Sequence, residues 1–317
     1  MQTIEITAEN ANRRLDKFLL SYLNEAPHSF IYKMLRKKRI KLNGARAGGG
    51  ELLQTGDGIT LYLSPETIEN FRKVRTIAKA KPLPLSCIIY ENEHLLVVNK
   101  PAGLPSHGGM SGKDANDHLL AQMLYYLQES GAYDPSAAFV PALCNRLDVN
   151  TSGLVICGKT LHALQDMNAL FANQGIDKEY LAVVEGILGD AGKEQVLEGY
   201  YQKDTSTNKV KITPRNESRS KQPHPTAITA YKILAISKNK KHTLLSVNPI
   251  TGRSHQIRAH LASIGNPLAG DKKYGASSTP HAPAQLLHCR RLSVPQSKLT
   301  WEADPPEGML KCVQEWF

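Results

Sequence analysis

The sequence has no apolar run long enough to cross a membrane, and its start, Met1 to Glu5, has no basic and then apolar signal-peptide pattern. Its cysteines are odd in number and have no paired short spacing, which argues against disulfide pairs and thiolate zinc sites. They are Cys87, Cys144, Cys157, Cys289 and Cys312, and three of them fall in apolar strand-like runs. We therefore expect reduced core cysteines in a cytoplasmic protein that has no membrane contact.

Sequence motifs for cofactors, metals and hydrolases are also missing. No Gly-x-Gly-x-x-Gly follows a strand, and there is no Gly-x-Ser-x-Gly elbow. Residues 153–160 formally match a P-loop, but a turn precedes them and strand-forming residues separate the two glycines. His255 and His260 lie five residues apart, so they would not share a helix face as a zinc pair does. We expect no cofactor and no metal.

Acidic residues are fewer than basic ones, 29 against 39, which gives a net charge of +10 over 317 residues. Such an excess predicts a polyanionic partner, nucleic acid before membrane, although a solvated basic surface would give the same count. The length favours two domains.

The N-terminal stretch, residues 1–64, reads as a small α+β module. Two amphipathic helical segments precede a short strand, the Asn43-Gly44 turn and an alternating strand. Helix-dipole pairing explains part of the basic cluster at the second helix, but not six cations. These are Lys33, Arg36, Lys37, Lys38, Arg39 and Lys41.

Residues 65–84 show no clear period and are rich in lysine, arginine and proline, which predicts an exposed basic linker. Residues 85–317 would then form the second domain. Their many strand-like runs, with few helices at irregular intervals, favour an α+β fold with a mixed, mostly antiparallel sheet flanked by helices. The polar segment 203–222 predicts a hairpin tip or loop.

The most informative stretch runs from Asn145 to Gly153, where an Arg-Leu-Asp triplet stands beside an apolar strand. A carboxylate in such a place is costly unless it is paired, so Asp148 is a candidate functional residue. Four other blocks stand in order along the chain, one before this stretch and three after it. They are Lys100-Pro101-Ala102-Gly103-Leu104, Asp177-Lys178-Glu179-Tyr180, Thr251 to Leu261, and Pro267 to Gly275 with Leu287-His288.

Together these blocks resemble the RluA-type pseudouridine synthases, over about residues 85–295. The resemblance implies the pseudouridine synthase fold and isomerisation of uridine in RNA. Asp148 would be the nucleophile, Arg253 its ionic partner, and Tyr180 the residue that stacks on uracil. Arg146 would contact the RNA backbone or else anchor its own loop, and Ile257 would contact the RNA substrate. Asn145 replaces the usual histidine and cannot titrate.

The first sixty residues resemble the RNA-binding module named after a ribosomal small-subunit protein, whose basic surface would neutralise RNA phosphates. This domain order resembles the large-subunit ribosomal RNA enzymes, and we expect a monomer acting on that RNA. A transfer RNA pseudouridine synthase, or a catalytically inactive RNA-binding or ribosome-assembly protein, stays open as an alternative.

Overall fold

The computed structural model describes residues 1–74, 80–108, 117–215, 226–277 and 282–317. The N-terminal module is a four-stranded antiparallel sheet in the order β1-β4-β2-β3, with helices packed on it. Its strands are β1 (Gln2–Glu5), β2 (Ile40–Leu42), β3 (Ala45–Arg46) and β4 (Gly58–Leu61). Its helices are α1 (Leu15–Tyr22), α2 (His28–Arg36) and α3 (Pro65–Phe71).

Helix α3 corrects one prediction, because it lies in the stretch assigned to the linker. Ser64 caps it by accepting from the Thr67 amide, and Pro65 occupies the first turn, where no backbone donor is needed. Ile68 joins the module's core, and the Phe71 ring packs 4.6 Å from that of Phe30. The module therefore extends to Phe71. In the sequence, the only helical periodicity of α3 is the spacing of three between the apolar residues Ile68 and Phe71. Two of the linker cations, Arg75 and Lys79, lie outside the described residues.

The second domain is built on one large sheet in the order β11-β10-β12-β13-β9-β14-β8-β6-β5, with β15 on β14 and β7 on β8. Its strands are β5 (Ile88–Glu91), β6 (Leu95–Lys100), β7 (Ala142–Leu143), β8 (Ser152–Gly158), β9 (Asp177–Glu185), β10 (Glu194–Asp204), β11 (Lys209–Pro214), β12 (Thr226–Ile236), β13 (His242–Pro249), β14 (Leu287–Val294) and β15 (Leu299–Glu302). Its helices are α4 (Leu119–Glu129), α5 (Leu161–Ala172), α6 (Gln256–Ser263) and α7 (Glu307–Trp316).

The predicted α+β class with a mostly antiparallel sheet is confirmed. Among the described strands the one parallel pair is β14 with β8, matching His288 to Ser152 and Cys289 to Gly153. Gly153 has φ +118°, and a Cβ there would lie 2.3 Å from the Cys289 carbonyl oxygen, so only glycine permits this approach. Strand β8 is buried along its whole length, which removes the P-loop interpretation, since a phosphate loop must expose its amides.

The polar segment after residue 203 forms the predicted hairpin. Strands β10 and β11 pair from Gly199–Pro214 to Asp204–Lys209, with the tip at residues 205–208. The end of the predicted loop, residues 216–222, lies outside the described residues. Across the described parts of the chain, no helix combines the length and apolar character that a membrane span requires.

Candidate active site

Asp148 lies in the loop between β7 and β8, where it lines a cleft of about 1090 Å³. Two side chains hold this loop, the half-buried Asn145 and the buried Lys100. Asn145 donates to the Leu154 carbonyl at 3.1 Å and accepts from the Ile156 amide at 2.8 Å. Its amide therefore pairs with β8 as a neighbouring strand would, so the position that departs from the family pattern is structural.

Lys100, at the end of β6, is the second holding group and is fully buried. Its ammonium donates to the carbonyls of Pro101 at 2.9 Å, Leu104 at 2.8 Å and Val149 at 2.9 Å, the last being next to Asp148. Burial lowers the pKa of Lys100 to about 7, against a smaller opposing effect of Asp148. The sequence indicates only a turn here and does not reveal the role of Lys100. The available signal is its position, a cation as the last residue of an apolar strand.

The ionic partner of Asp148 is Arg258, which corrects the prediction of Arg253. Arg258 Nη1 lies 2.9 Å from Asp148 Oδ2. Helix α6 begins at Gln256, so Arg258 falls in its first turn on the face toward the cleft, whereas Arg253 stays in the preceding loop. Arg253 lines the cleft, and its backbone amide donates to Gln256, but within the described residues its side chain forms no ion pair.

Arg258 is itself held by a second carboxylate. Its Nε and Nη2 donate to the two oxygens of Asp271 at 2.7 and 2.9 Å, and the Asp271 side chain is only 1% exposed. These two carboxylates more than offset the burial of the guanidinium and raise the pKa of Arg258. Gly270 turns the chain here at φ +82°, where a Cβ would lie 2.4 Å from the Ala284 carbonyl oxygen. One planar guanidinium thus orients Asp148 from a buried anchor.

His255 stands on the same side of Asp148, in the left-handed backbone region at φ 53°. Its Nε2 lies 3.8 Å from Asp148 Oδ2, and its Nδ1 lies 3.0 Å from the Tyr274 hydroxyl. That hydroxyl accepts from the Val210 amide of β11 at 3.0 Å, so its proton is left to donate to Nδ1. Burial lowers the pKa of His255, and we assign a neutral ring with its proton on Nε2, facing Asp148.

Tyr180, on β9, lines the cleft beside Asp148 and pairs in register with Cys289 of β14. Burial and the neighbouring Cys289 thiol raise the pKa of Tyr180 well above its ordinary value. The phenol is therefore protonated at neutral pH; it can donate a hydrogen bond, but its raised pKa makes it a weak acid.

The other predicted RNA contacts divide between two places. Arg146 is exposed and lines the cleft, and Ile257 lines it from a buried position. The six cations of the module lie on α2, on the turn that follows it and on β2, and none of them lines the cleft. Five are exposed and Lys41 is half-buried, and none forms an ion pair with a described residue. In the described part of the chain, no three His, Cys, Asp or Glu side chains are grouped to hold a metal ion.

Residues 94–263 match the family model of RNA pseudouridylate synthase. The chain belongs to the RluA-type RNA pseudouridine synthase family. A ribosomal large subunit pseudouridine synthase C from Vibrio vulnificus is 31% identical, over 97% of this chain and 93% of the relative. An uncharacterized RNA pseudouridine synthase from Bacillus subtilis is 30% identical, over 99% and 98%. The solved human RNA pseudouridylate synthase domain containing 4 shares the fold, with a TM-score of 0.54 at 22% identity over 73% of this chain and 92% of that one.

This pseudouridine synthase is therefore an isomerase, as its motif order predicts. The matched segment contains Lys100, Asp148 and Tyr180, together with helix α6 and its Arg258. Asp271, the anchor of Arg258, lies just beyond it. The sequence contained Asp271 within a quoted block, but only the fold shows that it contacts the arginine.

Proposed function

We propose that this synthase isomerises uridines in large-subunit ribosomal RNA with Asp148 as the nucleophile. One observation carries the assignment of Asp148. Its Oδ2 is bound by Arg258, its Oδ1 accepts no hydrogen bond from any described residue, and the residue lines the cleft. A carboxylate with one oxygen held and the other open is suited to attack an electrophilic carbon.

The chemistry needs no external oxidant or reductant. The bond from uracil N1 to ribose C1′ breaks, the base turns, and a bond forms from C5 to C1′. The C5 proton leaves, and N1 gains a proton. Asp148 would attack ribose or base, or assist a glycal-type intermediate, and the three routes stay open. Tyr180 would stack on the uracil. Because its phenol is protonated at neutral pH, it would move the C5 proton only as a relay, passing on its own proton while it accepts another.

The target carbon is inaccessible in a stacked helix, so the uridine would be extruded into the cleft. Cations at the rim suit the flanking phosphates, among them Arg146, Arg253, Lys203 and Lys273. Ile257 would form part of the apolar wall. The choice of ribosomal RNA is supported by relatives with that name that match this chain over nearly their whole length. The unpaired cations of the module would add phosphate contacts.

The test is tritium release from RNA labelled at uracil C5. We expect release from large-subunit ribosomal RNA by the purified protein and none from the Asp148→Ala or Asp148→Asn variants, both of which should bind RNA normally. Release from transfer RNA alone would replace the substrate assignment. Tight RNA binding with no release from either RNA would favour the inactive binding protein. Pseudouridine mapping in a strain that lacks the protein would then identify the uridine.

A further inference from the structure

A buried carboxylate in the N-terminal module fixes two exposed side chains. Asp16 is 2% exposed. It accepts from the Tyr32 hydroxyl at 2.7 Å, from Arg14 Nε and Nη2 at 3.1 and 2.8 Å, and from the Lys17 amide at 2.8 Å. Burial works to raise the pKa of Asp16, but these bonds outweigh it and the pKa is lowered, so the carboxylate is ionised at neutral pH.

The two side chains that Asp16 holds are directed to the surface. The Arg14 side chain is 53% exposed and Tyr32 is 44% exposed. Holding exposed side chains in one conformation costs conformational entropy, and the fold gains little apolar burial in return. An aspartate in a first helical turn needs only backbone amides, such as that of Lys17. The arrangement is therefore better explained by preorganisation for a ligand.

The surroundings indicate the chemistry of that ligand. Arg36, four residues after Tyr32 on α2 and so on the same helix face, is exposed and forms no ion pair with a described residue. Arg14 uses Nε and Nη2 on Asp16, which leaves its Nη1 group for an anion. Gly49, at φ +102°, brings its loop against one edge of the tyrosine, where a Cβ would lie 3.5 Å from Tyr32 Cε1. The site thus combines a rigid aromatic ring, a fixed guanidinium and an unpaired cation.

We propose that Arg14 and Tyr32, locked by Asp16, form a subsite for one unpaired nucleotide of RNA, with the base stacked on Tyr32 and its phosphate on Arg14. This rests on the proposed RNA substrate. An unpaired base offers a π-face that a duplex hides, and a phosphate suits a guanidinium. An acidic protein segment would use the cations but would have no need of the ring.

The experiment measures binding by the full-length protein at several salt concentrations, with a stem-loop RNA and with a blunt RNA duplex of equal length. Tyr32→Leu should weaken stem-loop binding about tenfold, leave duplex binding unchanged and leave the salt slope unchanged. Arg14→Gln should weaken binding to both RNAs and reduce the salt slope by about one. Lys232→Gln, which removes an exposed cation of β12, is the matched control and should match the unmodified protein.

Equal losses for stem-loop and duplex in Tyr32→Leu, or no loss in a variant with an unchanged circular dichroism spectrum, would overturn the proposal. Competition by polyglutamate that persists in Tyr32→Leu but is lost in Arg14→Gln would assign the surface to an acidic protein instead. If the leucine variant does not fold, 2-aminopurine placed at each loop position decides. Fluorescence quenching on binding is expected at one position, and its absence at every position refutes stacking.

Tritium release separates this proposal from the assigned activity. Tyr32→Leu should keep kcat, which is measured at saturating RNA, and should raise KM, which is measured by varying the RNA concentration. A protein that shows the Tyr32 effect on binding but releases no tritium would retain the subsite and lose the proposed function. Tritium release that depends on Asp148, together with an unchanged KM in Tyr32→Leu, would support the proposed function and overturn the subsite.

Discussion

Replacing Arg258 with lysine tests the central feature of the active site, a single guanidinium shared by two carboxylates. The side chain makes three charge-assisted hydrogen bonds, at 2.7 and 2.9 Å to Asp271 and 2.9 Å to Asp148. A lysine ammonium lacks the planar fork and cannot reproduce all three. Since Asp271 is the more buried carboxylate, the ammonium should stay with it, and Asp148 should lose its partner.

The size of the effect follows from those bonds. A hydrogen bond to a charged group contributes about 1.5–3 kcal/mol, so losing one and weakening another should lower the free energy of unfolding by about 2–4 kcal/mol. A domain stable by roughly 5–15 kcal/mol remains folded after such a loss. A misplacement of about 1 Å at a reacting group can cost roughly a hundredfold in rate, and we expect kcat to fall by about that factor.

Urea denaturation measures the stability change, and tritium release at saturating RNA measures kcat. Arg253→Lys is the matched control, because it makes the same change five residues earlier in the same motif. It should leave the denaturation midpoint unchanged and act on KM. An Arg258→Lys variant with near-normal kcat and midpoint would refute the reasoning, as would an equal loss of kcat in Arg253→Lys.

Three further changes test the supporting residues. Lys100→Met removes the donor to three carbonyls at and near the loop that contains Asp148, so kcat should fall at least tenfold with little change in RNA affinity. Unchanged turnover would show that this loop does not need the lysine. Asn145→Ala should lower the free energy of unfolding, measured in urea, by about 1–3 kcal/mol. Asn145→His keeps one donor and one acceptor and should retain activity at neutral pH. Equal losses of stability and activity in both variants would contradict the pairing with β8. His260 is 1% exposed and burial lowers its pKa to about 4, so the unfolded chain, with an ordinary pKa near 6.5, takes up its proton first. Stability should therefore be fully present above about pH 6.5 and should fall by about 3 kcal/mol toward pH 4, and His260→Gln should flatten that decline.

Much of the fold could be predicted because local patterns and tertiary packing agree. Strand β8 is apolar from Leu154 to Cys157 and is buried throughout, and the polar stretch after residue 203 forms a hairpin. Helix α3 was missed because seven residues give little periodicity, although Ser64-Pro65 is a recognisable helix start. The parallel pairing of β14 with β8 was not predictable, because it depends on a close approach at Gly153 across more than a hundred residues.

The sequence by itself determined the family, the order of its motifs and Asp148 as the candidate nucleophile, because these depend on residue type and short spacing. Only the tertiary structure decided which groups hold that carboxylate. Arg253 and Arg258 are equally plausible in a linear motif, and the choice depends on where helix α6 begins and which face it turns to the cleft. The hydrogen bond from Lys100 to the Val149 carbonyl, like that from Arg258 to Asp148, joins residues distant in sequence, and the packed fold brings them together.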